Sequence, residues 1–289
     1  MRAPTLLLVS LVVLVAGCSR SEAPATVDAG TSTAIPAEVA PAADTKAVAE
    51  SSPSTETGAS IIASALANPA RSEADRERDG RDQPAAILAL AGFGPGMIIA
   101  DIFGGGGYYS EILSGVVGPQ GKVLLINNAP YDAYAKKGLA PRLADGRLPN
   151  VDYRIVPSEA MQLGTSALDG ALIVMSYHDL YVVDPENDWP AIDAGQFLDQ
   201  IATALKPGGV LLIVDHAARD GSGSSDANTL HRIDESFAKK DISSHGLELI
   251  SSSEILRNED DPRDKGVFDE SIKGKTDRFV HVYRKSGGA

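Results

Sequence analysis

The sequence predicts an α/β fold built on a doubly wound, mostly parallel sheet of seven strands. Apolar runs bounded by turn residues alternate with stretches of helical periodicity, which is the pattern of buried parallel strands joined by right-handed helical crossovers. Five such runs predict parallel strands, at residues 97–103, 122–126, 151–156, 170–176 and 210–215. Two later runs, 247–255 and 277–284, are joined by a polar loop without helical period, so they predict a closing antiparallel hairpin.

Candidate helices fill the intervals between these strands. Pro84 and Gly92 frame one of them, because proline suits the first turn of a helix and glycine commonly ends one. The helical patterns span residues 61–66, 84–91, 109–116, 131–143, 191–205 and 229–243. The segment 71–83 is highly charged and is assigned to neither a helix nor a strand.

The composition excludes some classes of function. The chain has 289 residues, with 26 Lys and Arg against 39 Asp and Glu, a formal net charge of -13, and 43% hydrophobic residues. It can therefore bury a core, whereas its negative charge argues against nucleic acid as a partner. A single cysteine excludes an internal disulfide and a thiolate metal cluster.

The first 17 residues have the pattern of a bacterial signal peptide. Arg2 precedes an apolar stretch at 6–15 that is too short to cross a bilayer, and Val15-Ala16-Gly17-Cys18 resembles a lipobox. The resemblance implies cleavage before Cys18 and lipidation of its thiol, and the alternative is a buried free cysteine. By resemblance to enteric lipoproteins, Ser19 after the cysteine favours outer-membrane sorting. The expected location is therefore the bacterial cell envelope, lipid-anchored at the periplasmic face of the outer membrane.

A linker is expected between this anchor and the folded domain. Residues 18–58 are rich in Ala, Pro, Ser, Thr and Glu and contain no aromatic residue, which predicts a disordered tether. Residues 59–289 are then expected to form one α/β domain. The oligomeric state of that domain does not follow from the sequence.

The strongest chemical signal is a run of four glycines after the first strand. The strand ends in Asp101, and Gly104 to Gly107 lead into a helical pattern. Such a loop lets a ligand approach the backbone, and the start of a helix points N–H groups at it. The alternative is a tight strand-to-helix turn with no ligand, and a glycine-rich loop is by itself a weak signal.

Further motifs accompany this loop. Leu205-Lys-Pro-Gly-Gly209 opens one strand and Gly118-Pro-Gln-Gly-Lys122 opens another. With them, the chain resembles the class I S-adenosylmethionine-dependent methyltransferases over nearly all of residues 84–284, and the antiparallel hairpin fits that Rossmann-like fold. More narrowly, it resembles a bacterial group of predicted methyltransferases, some of them exported. The residues that carry this resemblance are Ala74-Asp-Arg-Glu-Arg-Asp-Gly-Arg81, Gly105-Gly-Gly-Tyr-Tyr109, Tyr177-His-Asp-Leu-Tyr181, Asp215-His216, His231-Arg-Ile-Asp234 and Gly274-Lys-Thr-Asp-Arg-Phe279.

The resemblance implies S-adenosyl-L-methionine as cofactor and assigns residues to it. Asp101 would accept from the ammonium group of the cofactor's methionine end. Phe103 stands where the first glycine of the loop usually is, and an asparagine pair stands where an acid usually holds the ribose. Glu159 matches the acid that meets the adenine. The implied cofactor-binding residues are Asp101, Phe103, Gly104, Gly105, Gly107, Asn127, Asn128, Glu159 and Ser176.

Catalytic candidates follow the fourth and fifth strands, at the edge where open α/β sheets bind ligands. His178 would act as the base that removes a proton from the methyl acceptor. Asp179 would orient His178 or bind a substrate cation. His216, next to Asp215 at the end of the fifth strand, is the third catalytic candidate. The alternative is that these groups only hold loops together by hydrogen bonds. With His231, three of the five histidines would converge on one cleft. Their spacing lacks the short paired pattern of a zinc motif, so no metal site is expected.

Three functions stay open. The first is an exported, membrane-anchored methyltransferase acting on a small molecule. The second is a lipoprotein that keeps the fold as a non-catalytic binding or interaction module, since a charged sulfonium nucleotide does not cross a bilayer passively. The third is a nicotinamide-dependent oxidoreductase, which is disfavoured because Ser110 replaces the third glycine of the dinucleotide fingerprint.

Overall fold

A computed structural model describes residues 55–287 of the chain. The signal peptide at 1–17, Cys18 and most of the 18–58 linker lie outside the described residues. Helix α1 spans Thr55–Leu66, so it begins inside the segment that the sequence assigns to the linker. Within residues 55–287, no helix is long and apolar enough to cross a membrane.

A seven-stranded sheet forms the centre of the domain. Its strands are β1 (Ile98–Ile102), β2 (Lys122–Asn127), β3 (Val151–Ile155), β4 (Leu168–Val174), β5 (Leu205–His216), β6 (Leu247–Ser253) and β7 (Arg278–Lys285). They lie in the order β3-β2-β1-β4-β5-β7-β6. Strands β1 to β5 pair in parallel, whereas β7 runs antiparallel to both β5 and β6. This arrangement confirms the predicted fold class, including the closing hairpin.

Helices cover both faces of the sheet, because the strand residues are apolar on both sides. On one face, Ile173 and Ile213 pack against the helix that carries Phe197. On the other face, Leu172 packs in the same cluster as Ile112. The helices after α1 are α2 (Glu73–Asp82), α3 (Pro84–Ala91), α4 (Tyr108–Val117), α5 (Ala129–Leu143), α6 (Ala194–Ala204), α7 (Ala227–Leu230) and α8 (Glu235–Ser244).

Two segments differ from the sequence expectation. The helix expected over 229–243 is interrupted, because His231 has a left-handed backbone (φ 52°) that ends α7. Asp234 then caps α8 by accepting from the backbone N–H of Ser236 at 2.7 Å. The charged segment 71–83 contains a helix, α2, whose N-cap Ser72 accepts from the backbone N–H of Asp75 at 3.1 Å.

Candidate functional site

A cleft of about 520 Å³ opens at the carboxyl ends of strands β1, β4 and β5. Ligands of open α/β sheets bind at this edge. Of the residues that the sequence assigns to a site, the cleft is lined by Phe103, Gly104, Gly105, Ser176, His178, Asp179 and His216. It is not lined by Asp101, Gly107, Asn127, Asn128 or Glu159.

The glycine loop forms one wall of the cleft. Phe103 has the left-handed backbone (φ 52°) that a glycine would adopt at that position, so the loop keeps its path despite the bulky side chain. A Cβ built on Gly105 or Gly106 meets no atom within 4 Å, so the backbone there is open to a ligand. Gly107 (φ 75°) instead caps α4 and faces Arg142 and the side chain of Leu125.

Asn127 supports this loop from the end of β2. Its Oδ1 accepts from the backbone N–H of Gly105 at 3.0 Å, and its Nδ2 donates to the carbonyl of Gly105 at 3.1 Å. The side chain is fully buried. Its amide is therefore used by the protein itself and does not face the cleft.

Asp101 also points into the protein. Its carboxylate accepts from the hydroxyl of Ser110 at 2.6 Å, in the first turns of α4. Burial raises the pKa of Asp101 to about 6, although the hydrogen bonds from Ser110 oppose that shift. The hydrogen bond between Asp101 and Ser110 therefore joins β1 to α4.

The other two residues implied in nucleoside binding line a second pocket of about 510 Å³. Asn128 caps α5 by accepting from the backbone N–H of Tyr131 at 3.0 Å, and Glu159 is exposed at the rim. The rings of Tyr131 and Trp189 lie 5.2 Å apart and line the first cleft. The residues next to them in the sequence line the second pocket. This ring contact therefore lies between the two pockets.

His178 lies between two carboxylates. Its Nδ1 is 2.7 Å from Asp215 Oδ1, and its Nε2 is 3.2 Å from Asp179 Oδ1. Burial alone would lower the pKa of His178, but the two carboxylates outweigh it and raise the pKa to about 10. The imidazole is therefore protonated at neutral pH, and Asp215, not Asp179, is the residue that orients its Nδ1.

His216 is in the opposite state. Burial and the neighbouring charge of His178 hold the pKa of His216 well below its ordinary value, so its ring is neutral. Its Nδ1 lies 2.8 Å from the hydroxyl of Thr276. When Nδ1 carries the proton and donates it to Thr276, Nε2 is left as a proton acceptor on a ring that lines the cleft.

His231 completes a cluster of three imidazoles. Its ring lies 5.4 Å from that of His178, and the ring of His216 lies 5.9 Å from His178. The Nδ1 atom of His231 is 3.6 Å from Asp179 Oδ1. The structure thus brings the three histidines together, with two of them facing Asp179.

Two arginines of α2 also line the cleft, and the motif Ala74-Asp-Arg-Glu-Arg-Asp-Gly-Arg81 contains both, although the resemblance assigned them no role. Arg78 and Arg81 both reach the cleft. Asp82 pairs with Arg78 at 2.6 Å, with Arg81 at 3.0 Å and with Arg278 at 2.8 Å. A pair of acidic residues after Ser72 was the available signal for this helix, since acids favour the first helical turn.

No family model matches the chain. It is 27% identical over 128 residues to the ubiquinone/menaquinone biosynthesis C-methyltransferase UbiE of Hydrogenovibrio crunogenus. That match covers 44% of this chain and 45% of UbiE, so the chain spans less than half the length of the curated relative.

Solved structures share the fold over most of the domain. A SAM-dependent methyltransferase from Aquifex aeolicus has a TM-score of 0.52 and 20% identity, covering 78% of this chain and 98% of its own. The [4+2]-cyclase SpnF has a TM-score of 0.50 and 16% identity, covering 77% of this chain and 86% of its own. The chain therefore has the class I methyltransferase fold, in which its mostly parallel seven-stranded sheet ends in an antiparallel hairpin.

Proposed function

We propose that the protein is an S-adenosyl-L-methionine-dependent methyltransferase acting on a small molecule. The observation that supports this most is the cleft itself. The open backbone of the glycine loop, Ser176 and the three histidines face one space at the carboxyl edge of a class I methyltransferase sheet. The similarity to UbiE, a C-methyltransferase by its name, supports the same reaction class.

The cleft fits the methionine end of this cofactor. Gly105 and Gly106 leave room for close approach, and Arg78 and Arg81 offer cationic groups to a carboxylate. When bound, the cofactor supplies an electrophilic methyl group on a sulfonium. Tyr131 and Trp189 provide aromatic surface for the nucleoside, in place of the acid that usually ends the second strand.

Proton removal falls to His216 in this proposal. Its ring is neutral, lines the cleft and is oriented by Thr276. His178 acts as a general base only after it loses the proton that Asp179 and Asp215 stabilise. Its charge instead keeps His216 neutral, and the role of His178 as the base stays a prediction.

The acceptor is proposed to be small and partly apolar. A cleft of about 520 Å³ matches the size of ligand pockets, which range from about 300 to 1,000 Å³. Val182, Val267 and Phe268 contribute apolar surface beside the polar groups. The net charge of -13 argues against a nucleic-acid acceptor.

Export and anchoring are a separate proposal, based on the sequence around Cys18. We expect the chain to be lipidated at Cys18 and held at the periplasmic face of the outer membrane. Cys18→Ser should release the protein from the membrane fraction into the soluble periplasmic fraction. Continued membrane partition of this variant would overturn the lipid anchor.

A non-catalytic binding module is the second candidate, and specific observations favour it. Asp101 and Asn127, which the resemblance implies for the cofactor, are both engaged inside the protein. SpnF, a [4+2]-cyclase by its name, shows that a protein with this fold can carry a different function.

A calorimetric titration separates the two candidates. The full-length protein is titrated with S-adenosylmethionine and S-adenosylhomocysteine, with NAD as a control ligand. We expect the first two to bind and NAD not to bind. Gly106→Val places a side chain in the open cleft and should abolish this binding, whereas Gly94→Val, also with free space around its Cβ, should not. A folded protein that binds neither methyl donor nor product would favour the non-catalytic module.

A further inference from the structure

We propose that His178, Asp179 and His231 form a binding site for a divalent transition-metal ion, and that zinc suits the donor set best. Two imidazole nitrogens and one carboxylate oxygen are ligands that zinc accepts. The three side chains come from two loops that meet at the carboxyl edge of the sheet, one after β4 and one after α7. No short sequence motif joins them, which is why the sequence did not predict the site.

The spacing of the ligand atoms matches a single ion. His178 Nε2 lies 3.2 Å from Asp179 Oδ1, and His231 Nδ1 lies 3.6 Å from the same oxygen. One ligand atom from each residue lies within 4.8 Å of the other two. Bonds of about 2.0–2.2 Å at tetrahedral angles place ligand atoms about 3.4 Å apart, so one ion can reach all three.

The surrounding hydrogen bonds orient the donors as a metal site requires. Asp215 Oδ1 holds Nδ1 of His178 at 2.7 Å, so Nε2 is the nitrogen that faces Asp179. Asp215 is itself fully buried and fixed, because it accepts from the backbone N–H groups of His178 and His216, each at 2.7 Å. The hydroxyl of Tyr131 donates to Asp179 Oδ2, which leaves Oδ1 for the ion. A carboxylate behind a ligating histidine is the usual supporting arrangement.

The charge at the site also suits a cation. Among the ion pairs of residues 55–287, Asp179 pairs only with His178 and His231, and Asp215 pairs only with His178. No arginine or lysine of this part of the chain pairs with either carboxylate. A divalent ion would therefore displace the proton from His178 Nε2 and replace its positive charge beside two carboxylates that no arginine or lysine neutralises.

The geometry is that of an open site. Three protein ligands leave at least one position, and His178, Asp179 and His231 all line the cleft. Structural zinc sites are closed by four protein ligands, whereas sites that bind a substrate keep a position free. An ion here would take an oxygen or nitrogen of the acceptor. That role rests on the proposed function, but metal binding itself does not.

The test uses tag-free, full-length protein stripped with a chelator and titrated with Co²⁺, followed by displacement with Zn²⁺. We expect one ion per chain, with the visible absorption of four- or five-coordinate cobalt that disappears when zinc replaces it. Asp215→Asn should weaken binding about 10- to 100-fold, because it weakens the support of His178 Nδ1 without removing a ligand. No cofactor is present, so the result is independent of the proposed methyl transfer.

His231→Asn is the main variant, since asparagine tolerates the left-handed backbone and a third of the His231 side chain is exposed. It should weaken cobalt binding at least tenfold. Asp179→Asn, which keeps an acceptor for Tyr131, should do the same. His245→Ala removes an imidazole that pairs with Asp199 at 2.7 Å outside the cleft, and it should leave binding unchanged. The proposal is overturned if folded wild-type protein binds no cobalt or zinc, or if His231→Asn binds as tightly as wild type.

Discussion

The side chain of Asn127 pairs with both backbone hydrogen-bonding groups of Gly105, much as one peptide group pairs with another. The contact joins the end of β2 to the middle of the glycine loop. It fixes the loop before any ligand arrives, since one residue satisfies both a donor and an acceptor of a segment that has no regular structure. The position that usually binds a ribose has here become part of the support of the loop.

Asn127→Ala should therefore destabilise the protein. Removing the amide leaves the N–H and the carbonyl of Gly105 without these partners next to a fully buried position, at a cost of about 1–3 kcal/mol. Urea unfolding measures the change in the free energy of unfolding. Asn68→Ala is the control, because Asn68 makes its hydrogen bond to Ala70 in an exposed turn. An equal effect of the two substitutions would contradict the supporting role of Asn127.

The sequence predicted the sheet well, because buried parallel strands are apolar on both faces and leave a continuous signal. Strand β1 was expected at 97–103 and lies at Ile98–Ile102. The prediction of one long helix over 229–243 was wrong. The hydrophobic period that suggested it continues across His231, but the left-handed backbone of His231 ends the helix there. Helix α2 gave no periodic hydrophobic signal, because ion pairs and an N-cap stabilise it and it has no apolar face.

The site was predictable only in part. The ends of β4 and β5 were expected to meet, and the structure places His178 and His216 on one cleft. The direction of a side chain is not readable in the same way. Asp101 and Asn127 stand at the expected strand ends, but local partners, Ser110 and Gly105, turn them into the protein. The hydrophobic pattern of the sequence indicates which residue ends a strand, whereas tertiary packing decides what the side chain of that residue contacts.

Asp82 should control the acid stability of the domain. Burial alone would raise its pKa, but Arg81, Arg78 and Arg278 hold it well below the usual value. A carboxyl whose folded pKa is depressed contributes stability that is present above the unfolded pKa of about 3.9 and is lost as the pH falls through the folded value. The free energy of unfolding should therefore decline below about pH 4.

Asp82→Asn tests this contribution directly. At pH 7 the variant should lose about 3 kcal/mol, because it leaves the buried Arg278 without its carboxylate. Its stability should also fall less steeply below pH 4 than that of the wild type. Asp264→Asn at an exposed position serves as the control in the same urea series. A parallel pH dependence of Asp82→Asn and wild type would rule out Asp82 as the titrating group.

His216 should stay neutral where an ordinary histidine becomes charged. Burial and the charge of His178 lower its pKa, so its ring should not protonate until the pH is below 6.5. Protein labelled with ¹⁵N in its histidine rings reports each protonation state by NMR, and His216→Gln identifies the resonance. Protonation of this ring at pH 6.5 or above would remove His216 as the neutral base of the proposed reaction.

Trp189 should report ligand binding without a label, because it is the only tryptophan of the chain. Its ring contacts Tyr131 beside the cleft, and its Nε1 donates to the carbonyl of Asp179 at 3.3 Å. S-adenosylhomocysteine should change its fluorescence over the same concentration range as the calorimetric titration. Gly106→Val provides the blocked control. Binding that calorimetry detects while the fluorescence stays constant would place the ligand away from Tyr131 and Trp189.

Replacing Phe103 by glycine sets backbone strain against packing. Glycine would relieve a left-handed conformation that costs about 1–2 kcal/mol for other residues. It would also remove a ring that is 4% exposed and stacks on Tyr131 at 4.5 Å, and loss of a buried phenylalanine side chain costs about 3–5 kcal/mol. Packing should dominate, so Phe103→Gly is expected to destabilise the protein by about 2–3 kcal/mol.

Gln83→Gly separates the two effects. Gln83 has a similar left-handed backbone (φ 48°), but its side chain is exposed. Relief of about 1–2 kcal/mol of strain exceeds the entropy cost of glycine, about 0.5–1 kcal/mol, so this variant should be slightly more stable, by about 0.5–1 kcal/mol. Thermal and urea unfolding of both variants give the comparison. If Phe103→Gly were as stable as Gln83→Gly, the phenylalanine ring would contribute nothing to the cleft wall, and its place in the loop would have no explanation in packing.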